Sequence, residues 1–209
     1  MSATRQRFHE RPPAGFLSRH RNANRRMVGS TLARSSWRPC GCRLTSRYGC
    51  DRPISGGGWF TLQIAKVARH VCAIDIDPNL LEVARHRLAE NGLTNCDFVT
   101  GDAYDIAKLT APADFVFLAN AFHGVPDRHR LAKAVDAALK SHGRFAIVNW
   151  HTRPREETPI LGEPRGPKTE LRMSPEETIK SVEAGGLKFT NMVEIPPYHY
   201  GVVFEGSGA

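Results

Sequence analysis

The chain has 209 residues, of which 41% are hydrophobic and 24% are charged, so it can form one domain with a full core. Its formal net charge is +8, but residues 1–55 contain 12 arginines, no lysine and 2 acidic residues, whereas the remainder carries 17 basic and 19 acidic side chains. The body of the chain is therefore nearly neutral, which argues against a nucleic-acid-binding surface there. The arginine-rich segment either contacts phosphates or is a solvated tail.

Membrane, secretory and metal-binding classes are not indicated by the sequence. No apolar run approaches the roughly 18–20 residues that span a bilayer, and the charged N-terminus lacks the apolar stretch of a secretory signal. We expect a cytoplasmic, reducing setting, in which the five cysteines need no disulfides. Cys40, Cys42 and Cys50 lie close together but lack paired Cys-x-x-Cys spacing, so no metal site is predicted.

From residue 56 onward, helical spacing alternates with short apolar runs of strand type; for example, Phe60, Ile64, Val67 and Ala68 fall on one face of a helix. The pattern predicts helices around residues 60–68, 78–91, 128–140 and 175–184, and strands around residues 70–75, 97–100, 114–120, 144–150, 187–194 and 200–204. Strands that alternate with helices favour a parallel sheet covered by helices, which binds ligands at the carboxyl ends of its strands. The last two strands are joined by a direct turn and are predicted to be antiparallel.

Residues 1–55 form a poorly patterned, arginine-rich segment with a candidate helix at residues 19–32. Residues 38–55 show neither helical nor strand spacing. A doubly wound domain needs a strand immediately before the glycine turn that follows. The sequence there is a poor central strand, because Pro53 lacks an amide donor and Arg52 would be buried.

Residues 56–209 hold the predicted α/β domain, and one segment within it lacks the alternating pattern. Residues 151–173 are rich in proline, arginine, glutamate and glycine, and they follow the carboxyl end of a predicted strand. A loop of this length in a compact domain is usually a binding loop or is disordered, so we predict a lid-like loop. Ser174 and Glu177 then predict a capping box at the start of the last helix.

Five segments occur in the order and at the spacing of the motifs of a known enzyme family. They are Gly-Gly-Gly-Trp-Phe-Thr-Leu-Gln-Ile-Ala at residues 56–65, Ala-Ile-Asp-Ile-Asp-Pro at 73–78, Val-Thr-Gly-Asp-Ala at 99–103, Asn-Ala-Phe-His-Gly-Val-Pro-Asp at 120–127 and Leu-Lys-Ser-His-Gly-Arg-Phe at 139–145. Residues 56–205 thereby resemble a class I S-adenosylmethionine (SAM)-dependent methyltransferase of the small-molecule type that includes the ubiquinone and menaquinone methylases. The resemblance implies a Rossmann-like, doubly wound α/β sheet with helices on both faces and an antiparallel C-terminal strand pair. It also implies SAM as cofactor and methyl transfer to a small-molecule acceptor.

The resemblance indicates which residues bind the cofactor. The implied cofactor-binding residues are Gly56, Gly58, Asp75, Ile76, Asp102, Ala103 and Asn120. Glycines let the backbone approach a ligand without a Cβ clash. Asp75 corresponds to the family's acid that holds the ribose hydroxyls, and Asp102 to its acid near the adenine amine. The alternative interpretations are a helix-capping role for Asp75 and a local Asx-turn for Asp102.

Methyl transfer from a sulfonium requires mainly positioning, because the methyl group is already reactive. A base is needed only where the acceptor carries a proton of high pKa. His123 is the best candidate, since imidazole titrates near neutrality and the residue follows the carboxyl end of a strand. The alternative is a histidine that packs or binds the backbone. His151, Tyr198 and His199 are further candidates.

The first motif departs from the family pattern, which has an acid and three glycines after an apolar strand. Ile54 stands in the place of the first glycine and Arg52 in that of the acid, where its charge would repel the methionine ammonium. Either the chain is a diverged relative with impaired catalysis, or the residues before about 56 are translated in a wrong frame.

A nucleic-acid methylase is a weaker alternative, based on Pro-Pro-Tyr at residues 196–198, in which Ile195 replaces the usual polar residue. A dinucleotide oxidoreductase would need a Gly-x-Gly-x-x-Gly sequence, which is absent.

Overall fold

The computed structural model describes residues 42–46 and 57–208. Its strands are β1 (Cys42–Ser46), β2 (Val71–Asp75), β3 (Cys96–Thr100), β4 (Ala113–Ala119), β5 (Leu139–Trp150), β6 (Pro159–Ile160), β7 (Glu163–Pro164), β8 (Lys188–Ile195) and β9 (His199–Glu205). Seven of them form one sheet in the order β3-β2-β1-β4-β5-β9-β8, and β6 pairs with β7. Strands β1 to β5 are parallel, whereas β9 runs antiparallel to both β5 and β8. The predicted Rossmann-like α/β fold is confirmed.

The described helices are α1 (Trp59–Ala65), α2 (Pro78–Ala89), α3 (Ile106–Leu109), α4 (Arg128–Ala138) and α5 (Pro175–Glu183). Their starts follow local sequence rules. Asp77 caps α2, and its side chain accepts a hydrogen bond from the N–H of Asn79. Ser174 and Glu177 form the predicted capping box of α5, with N···O distances of 3.1 and 2.7 Å. No helix within the described ranges combines the length and the apolar character that a membrane crossing requires.

The central strand differs most from the sequence analysis. The expectation that residues 38–55 contain no regular element is wrong, because Cys42–Ser46 form β1 between β2 and β4. Cys42 lies level with Val71 on one side and with Phe115 on the other. A slot between two parallel strands offers ladder partners on both sides, and this context outweighs a weak strand pattern. The candidate helix at residues 19–32 lies outside the described residues.

Apolar side chains cover both faces of the sheet. Along β5, Phe145 and Ile147 belong to one buried cluster, and Ala146 and Val148 belong to another, as the alternation of a strand requires. The first cluster includes residues of α4 and α5, and the second includes residues of α1 and α2. Because the strands are enclosed by apolar side chains, their carboxyl ends are held at a fixed edge of the sheet.

Two details of the predicted elements are wrong. Val67 was expected on the buried face of the first helix, but α1 ends at Ala65 and Val67 is 56% exposed. The helix predicted to extend to residue 140 ends at Ala138, and Leu139 already pairs with Ala113 at the start of β5. In both cases the helical spacing continues in the sequence past the point where the chain leaves the helix.

Residues 151–173 are held together by the buried side chain of Arg172. Arg172 is 6% exposed, and its Nη2 donates to Thr158 Oγ1 and to the carbonyl of Arg165, each at 2.9 Å. The guanidinium also lies 5.1 Å from the ring centre of Trp150, at the end of β5. Arg172 therefore ties the segment, including the β6–β7 hairpin, to the carboxyl end of the sheet. A lid function of this segment stays a prediction.

Candidate functional site

The parallel strands end at one edge of the sheet, and the predicted site residues follow them there. Asp75 ends β2, Asp102 follows β3, and Asn120 and His123 follow β4. The chain passes from β3 at one side of the sheet over β2 and β1 to β4, so the strand order reverses next to β1. Loops diverge at such a reversal and leave a crevice in which open α/β sheets bind ligands. The structure thus places Asp75 on one side of the end of β1, and Asn120 and His123 on the other.

Gly58 starts α1 in the left-handed conformation, with φ of 72°. A Cβ at this position would lie 2.5 Å from the Cβ of Ala84 in α2. Glycine is therefore required here both by the turn and by the close contact between the two helices. This packing role was not expected from the sequence, and a cofactor contact by Gly58 stays a prediction. Gly56 lies outside the described residues.

Asp75 is a buried carboxylate, 6% exposed, at the last position of β2. Burial raises its pKa to about 6, although the N–H of Asp77 donates to its Oδ1 at 3.0 Å. Near neutral pH the side chain is therefore charged in a place where hydroxyl donors from a ligand would offset its lost hydration. Asp77, and not Asp75, caps the following helix. Ile76, beside Asp75, is 44% exposed.

Asp102 forms the turn after β3. Its Oδ1 accepts a hydrogen bond from the N–H of Tyr104 at 2.9 Å and thereby caps the 3-10 turn Ala103–Asp105. This local contact is the alternative that the sequence left open for Asp102. Ala103 is buried at the start of the same turn. Contacts of Asp102 and Ala103 with a cofactor stay predictions.

Asn120 leaves β4 with φ of 54°, and its N–H donates to the carbonyl of Val148 in β5 at 2.9 Å. Its side-chain Oδ1 is buried and has no hydrogen-bond partner among the described residues. A buried acceptor without a donor costs about 1–3 kcal/mol. The Asn120 amide oxygen therefore suits a ligand that brings a hydroxyl or an amine to this edge.

His123 is 3% exposed and lies in the 3-10 turn Phe122–Gly124. Its Nδ1 lies 3.2 Å from Oδ1 of Asn149 in β5, and its carbonyl accepts a hydrogen bond from Arg128. Burial lowers the pKa of His123, while the bond to Asn149 opposes this change and the charges of Arg128 and Arg172 add to it. The imidazole is therefore neutral near pH 7, which is the form that can accept a proton.

Asn149 was not among the residues predicted for the site. It is 1% exposed and lies within the apolar run of β5, one residue before the end of the strand. Across the sheet it is paired with Tyr200 of β9. A single amide inside a buried strand is the signal that could have identified it, because such side chains seldom lie in a core without a partner.

The further candidates lie around the end of β5. His151 Nε2 lies 2.9 Å from Glu194 Oε2, and the rings of Tyr198 and His199 lie 6.1 and 4.1 Å from that of Trp150. These side chains therefore make packing and surface contacts in the structure. In the part of the chain that the structure describes, no group of three or more His, Cys, Asp or Glu side chains is placed to hold a metal ion.

The fold and the polar residues at the carboxyl edge of its sheet define an α/β class of protein, and comparisons show which known proteins the chain is similar to. Residues 54–147 match the family model described as a methyltransferase domain. The chain resembles a SAM-dependent methyltransferase from Aquifex aeolicus, with a TM-score of 0.69, 19% identity, and coverage of 90% of this chain and 97% of that one. It also resembles a putative type 11 methyltransferase from Sulfolobus solfataricus, with a TM-score of 0.62, 20% identity, and coverage of 87% and 90%. At these identities the solved structures establish the fold alone.

Two curated relatives share part of their sequence with the chain. A ubiquinone biosynthesis O-methyltransferase from Xylella fastidiosa is 32% identical over 93 residues, which are 44% of this chain and 37% of the relative. A demethylmenaquinone methyltransferase from Listeria monocytogenes is 26% identical over 80 residues, or 38% and 34%. The chain thus spans little more than a third of the length of these relatives. The predicted resemblance to the class I SAM-dependent methyltransferases is confirmed, with residues 54–147 matching the methyltransferase domain model.

Proposed function

We propose that the chain transfers a methyl group from SAM to a small-molecule acceptor. The observation that carries the proposal is the placement of Asp75, Asn120 and His123 around the strand reversal, in a domain that matches the methyltransferase family. The doubly wound arrangement that this function requires is supported by the apolar clusters on both faces and by the antiparallel pairing of β9 with β8. We also infer that the functional domain extends beyond the predicted start at residue 56 and includes β1.

The residues at this edge fit SAM. The buried carboxylate of Asp75 would accept hydrogen bonds from the ribose hydroxyls, and the unpaired Oδ1 of Asn120 would accept one from the amino acid end or from the acceptor. Asp102, Ala103 and the exposed side chain of Ile76 would border the adenine ring. When bound, SAM supplies an electrophilic methyl group on its sulfonium.

His123 would act on the acceptor. Its ring is neutral near pH 7, because burial lowers its pKa, so it can take the proton that an acceptor hydroxyl or amine loses as the new bond to the methyl group forms. The contact with Asn149 restrains the ring, and the carbonyl contact with Arg128 restrains the turn that carries it. Orientation and proton removal are then the protein's two contributions.

The acceptor is proposed to be a small organic molecule. The printed names of the relatives concern demethylmenaquinone and ubiquinone biosynthesis, and these names describe those proteins. We do not expect nucleic acid as acceptor, since the described body of the chain is nearly neutral and Tyr198 of the Pro-Pro-Tyr sequence packs on Trp150. A cytoplasmic location remains a prediction of the sequence.

Calorimetry of the full chain with S-adenosylhomocysteine tests the proposal. We expect binding with a Kd in the micromolar range, and a loss of about ten- to hundred-fold in affinity for Asp75→Asn. The matched control is Asp97→Asn, since the side chain of Asp97 is 71% exposed on β3. Absence of binding at millimolar ligand, or an equal loss for both variants, would contradict the proposal.

A further inference from the structure

A chain of buried polar side chains runs behind His123. From His123 it passes to Asn149 on β5, then to Tyr200 on β9, and ends at the start of α5. The exposed fractions of the three side chains are at most 3%. Asn149 and Tyr200 are direct partners in an antiparallel pair, so their side chains lie on the same face of the sheet. Each proton along this chain has few acceptors available, and its position can therefore be worked out.

The contacts of the Tyr200 hydroxyl show where its own proton is directed. Its oxygen lies 3.0 Å from the carbonyl of Met173, 3.1 Å from that of Ser174 and 2.6 Å from Thr178 Oγ1. Carbonyls only accept, so the Tyr200 hydroxyl donates to them, and its oxygen accepts from the Thr178 hydroxyl. Burial raises the pKa of Tyr200 to about 12, against the effects of Thr178 and of the Asn149 amide, so the hydroxyl keeps its proton at all working pH values.

The position of the Tyr200 proton determines how the Asn149 amide is oriented. Since the hydroxyl proton is directed to the carbonyls, Tyr200 presents an acceptor to Asn149, and the amide nitrogen belongs on that side. Asn149 Nδ2 does not complete a hydrogen bond within the described residues, but the amide lies near enough to lower the pKa of Tyr200, as a donor does. The amide oxygen then faces His123 at 3.2 Å from Nδ1. A carbonyl oxygen can only accept, so His123 must carry its proton on Nδ1.

We propose that Asn149 is a positioning residue that holds His123 in the Nδ1–H tautomer, with the lone pair of the neutral ring on Nε2. The inference rests on the proposed function, because it assigns Nε2 as the atom that receives the acceptor's proton. It also explains why a buried strand carries an amide between Val148 and Trp150, where an apolar side chain would avoid the cost of the unpaired Nδ2.

The charged groups around His123 act in the same direction. Arg128 of α4 donates to the His123 carbonyl at 2.9 Å, and Arg172 at the end of the 151–173 segment also lowers the pKa of His123. On the β9 side the facing group is the neutral Tyr200. Two cations and a neutral hydroxyl disfavour a second proton on the ring, so the neutral tautomer is the form that Asn149 orients.

Nitrogen NMR of the full chain labelled at histidine tests the tautomer directly in the unsubstituted protein. At neutral pH we expect Nδ1 of His123 to give the signal of a protonated nitrogen and Nε2 that of an unprotonated one. A proton on Nε2, or an even mixture of tautomers, would overturn the proposal. This measurement needs neither SAM nor an acceptor, so it stands apart from the test of methyl transfer. If wild type binds no S-adenosylhomocysteine, the proposed function fails, and the tautomer still decides the role of Asn149.

Asn149→Asp provides a second test, because a carboxylate next to Nδ1 favours the doubly protonated ring. We expect the pKa of His123 to rise by about 1–2 units, and the acid limb of the rate profile to move with it if methyl transfer is observed. Asn191→Asp is the matched control, since Asn191 is exposed on β8 and receives the same charge. If both variants move the pKa of His123 equally, Asn149 has no specific role. Retention of the wild-type tautomer in Asn149→Leu would also contradict it.

Discussion

Asp75→Asn measures how much folding free energy the buried Asp75 carboxylate costs the ligand-free protein, separately from its proposed role in ligand binding. The pKa of Asp75 is about 6 in the folded chain, against an ordinary value of 3.8. One pKa unit corresponds to about 1.4 kcal/mol, so keeping the charged form buried costs the ligand-free protein at most about 3 kcal/mol above pH 7. Asparagine has the same shape, and its Oδ1 can still accept from the N–H of Asp77. We expect the free energy of unfolding to rise by about 2–3 kcal/mol, and Tm by roughly 4–12 °C.

The pH dependence of this gain has a definite sign. Because the folded pKa of Asp75 lies above the unfolded value, the wild-type protein binds the proton more tightly when folded. The contribution of Asp75 to stability is therefore lost as pH rises from about 4, through the folded pKa of about 6, to about 7, and is constant above that range. The variant has no such loss, so the two stability curves should meet near pH 4 and be fully separated above about pH 7.

Urea denaturation across this pH range, with both proteins free of ligand, measures the difference. Asp97→Asn serves again as control, since its exposed carboxylate should change the free energy of unfolding by no more than about 0.5 kcal/mol. Wild-type and Asp75→Asn curves that run parallel across the whole range, or a variant that is less stable at pH 7, would refute the reasoning about burial.

Two further substitutions test how the site is supported. Gly58→Ala would place a Cβ 2.5 Å from a side chain of α2 at φ of 72°, so we expect urea denaturation to show a loss of about 2–4 kcal/mol. Gly92→Ala is its control, because Gly92 has φ of 68° and no atom lies within 4 Å of the new Cβ. Backbone strain alone should cost this control variant about 1 kcal/mol. Equal losses in the two variants would exclude the packing role of Gly58. Arg172→Leu removes the donor that holds residues 151–173, so we expect a loss of about 2–4 kcal/mol and faster tryptic cleavage within that segment. Lys180→Leu, on the exposed face of α5, should change neither quantity, and unaltered cleavage of the Arg172 variant would contradict its role.

The fold of residues 57–208 was largely predictable, because its elements carry strong local signals. The apolar run that ends at Asp75, the cap at Asp77 and the capping box at Ser174 each specify a boundary from a few neighbouring residues. The resemblance to the SAM-dependent methyltransferases, and with it the expected cofactor, followed from the order of five short motifs. Such signals involve residues that are close together along the chain, and they can therefore be recognised in the sequence alone.

Other features depend on distant parts of the chain and leave little local trace. The strand at Cys42–Ser46 is stabilised by β2 and β4, and its own sequence has no strand pattern. Asn149 reads as a minor interruption of an apolar strand until Tyr200 and His123 are placed on either side of it. The second role of Gly58 likewise becomes visible only when Ala84 is brought against it.

The position of β1 has a consequence for where the domain can be cut. The family match starts at residue 54, but β1 lies at residues 42–46 and joins the β2–β3 half of the sheet to the half that contains β4, β5, β9 and β8. A shortened chain that starts at the family boundary would lose this shared strand and would expose a row of backbone donors and acceptors on both β2 and β4. Bare edges of that kind pair with other chains. We therefore expect such a shortened chain to aggregate, although it would contain every residue that the family match covers.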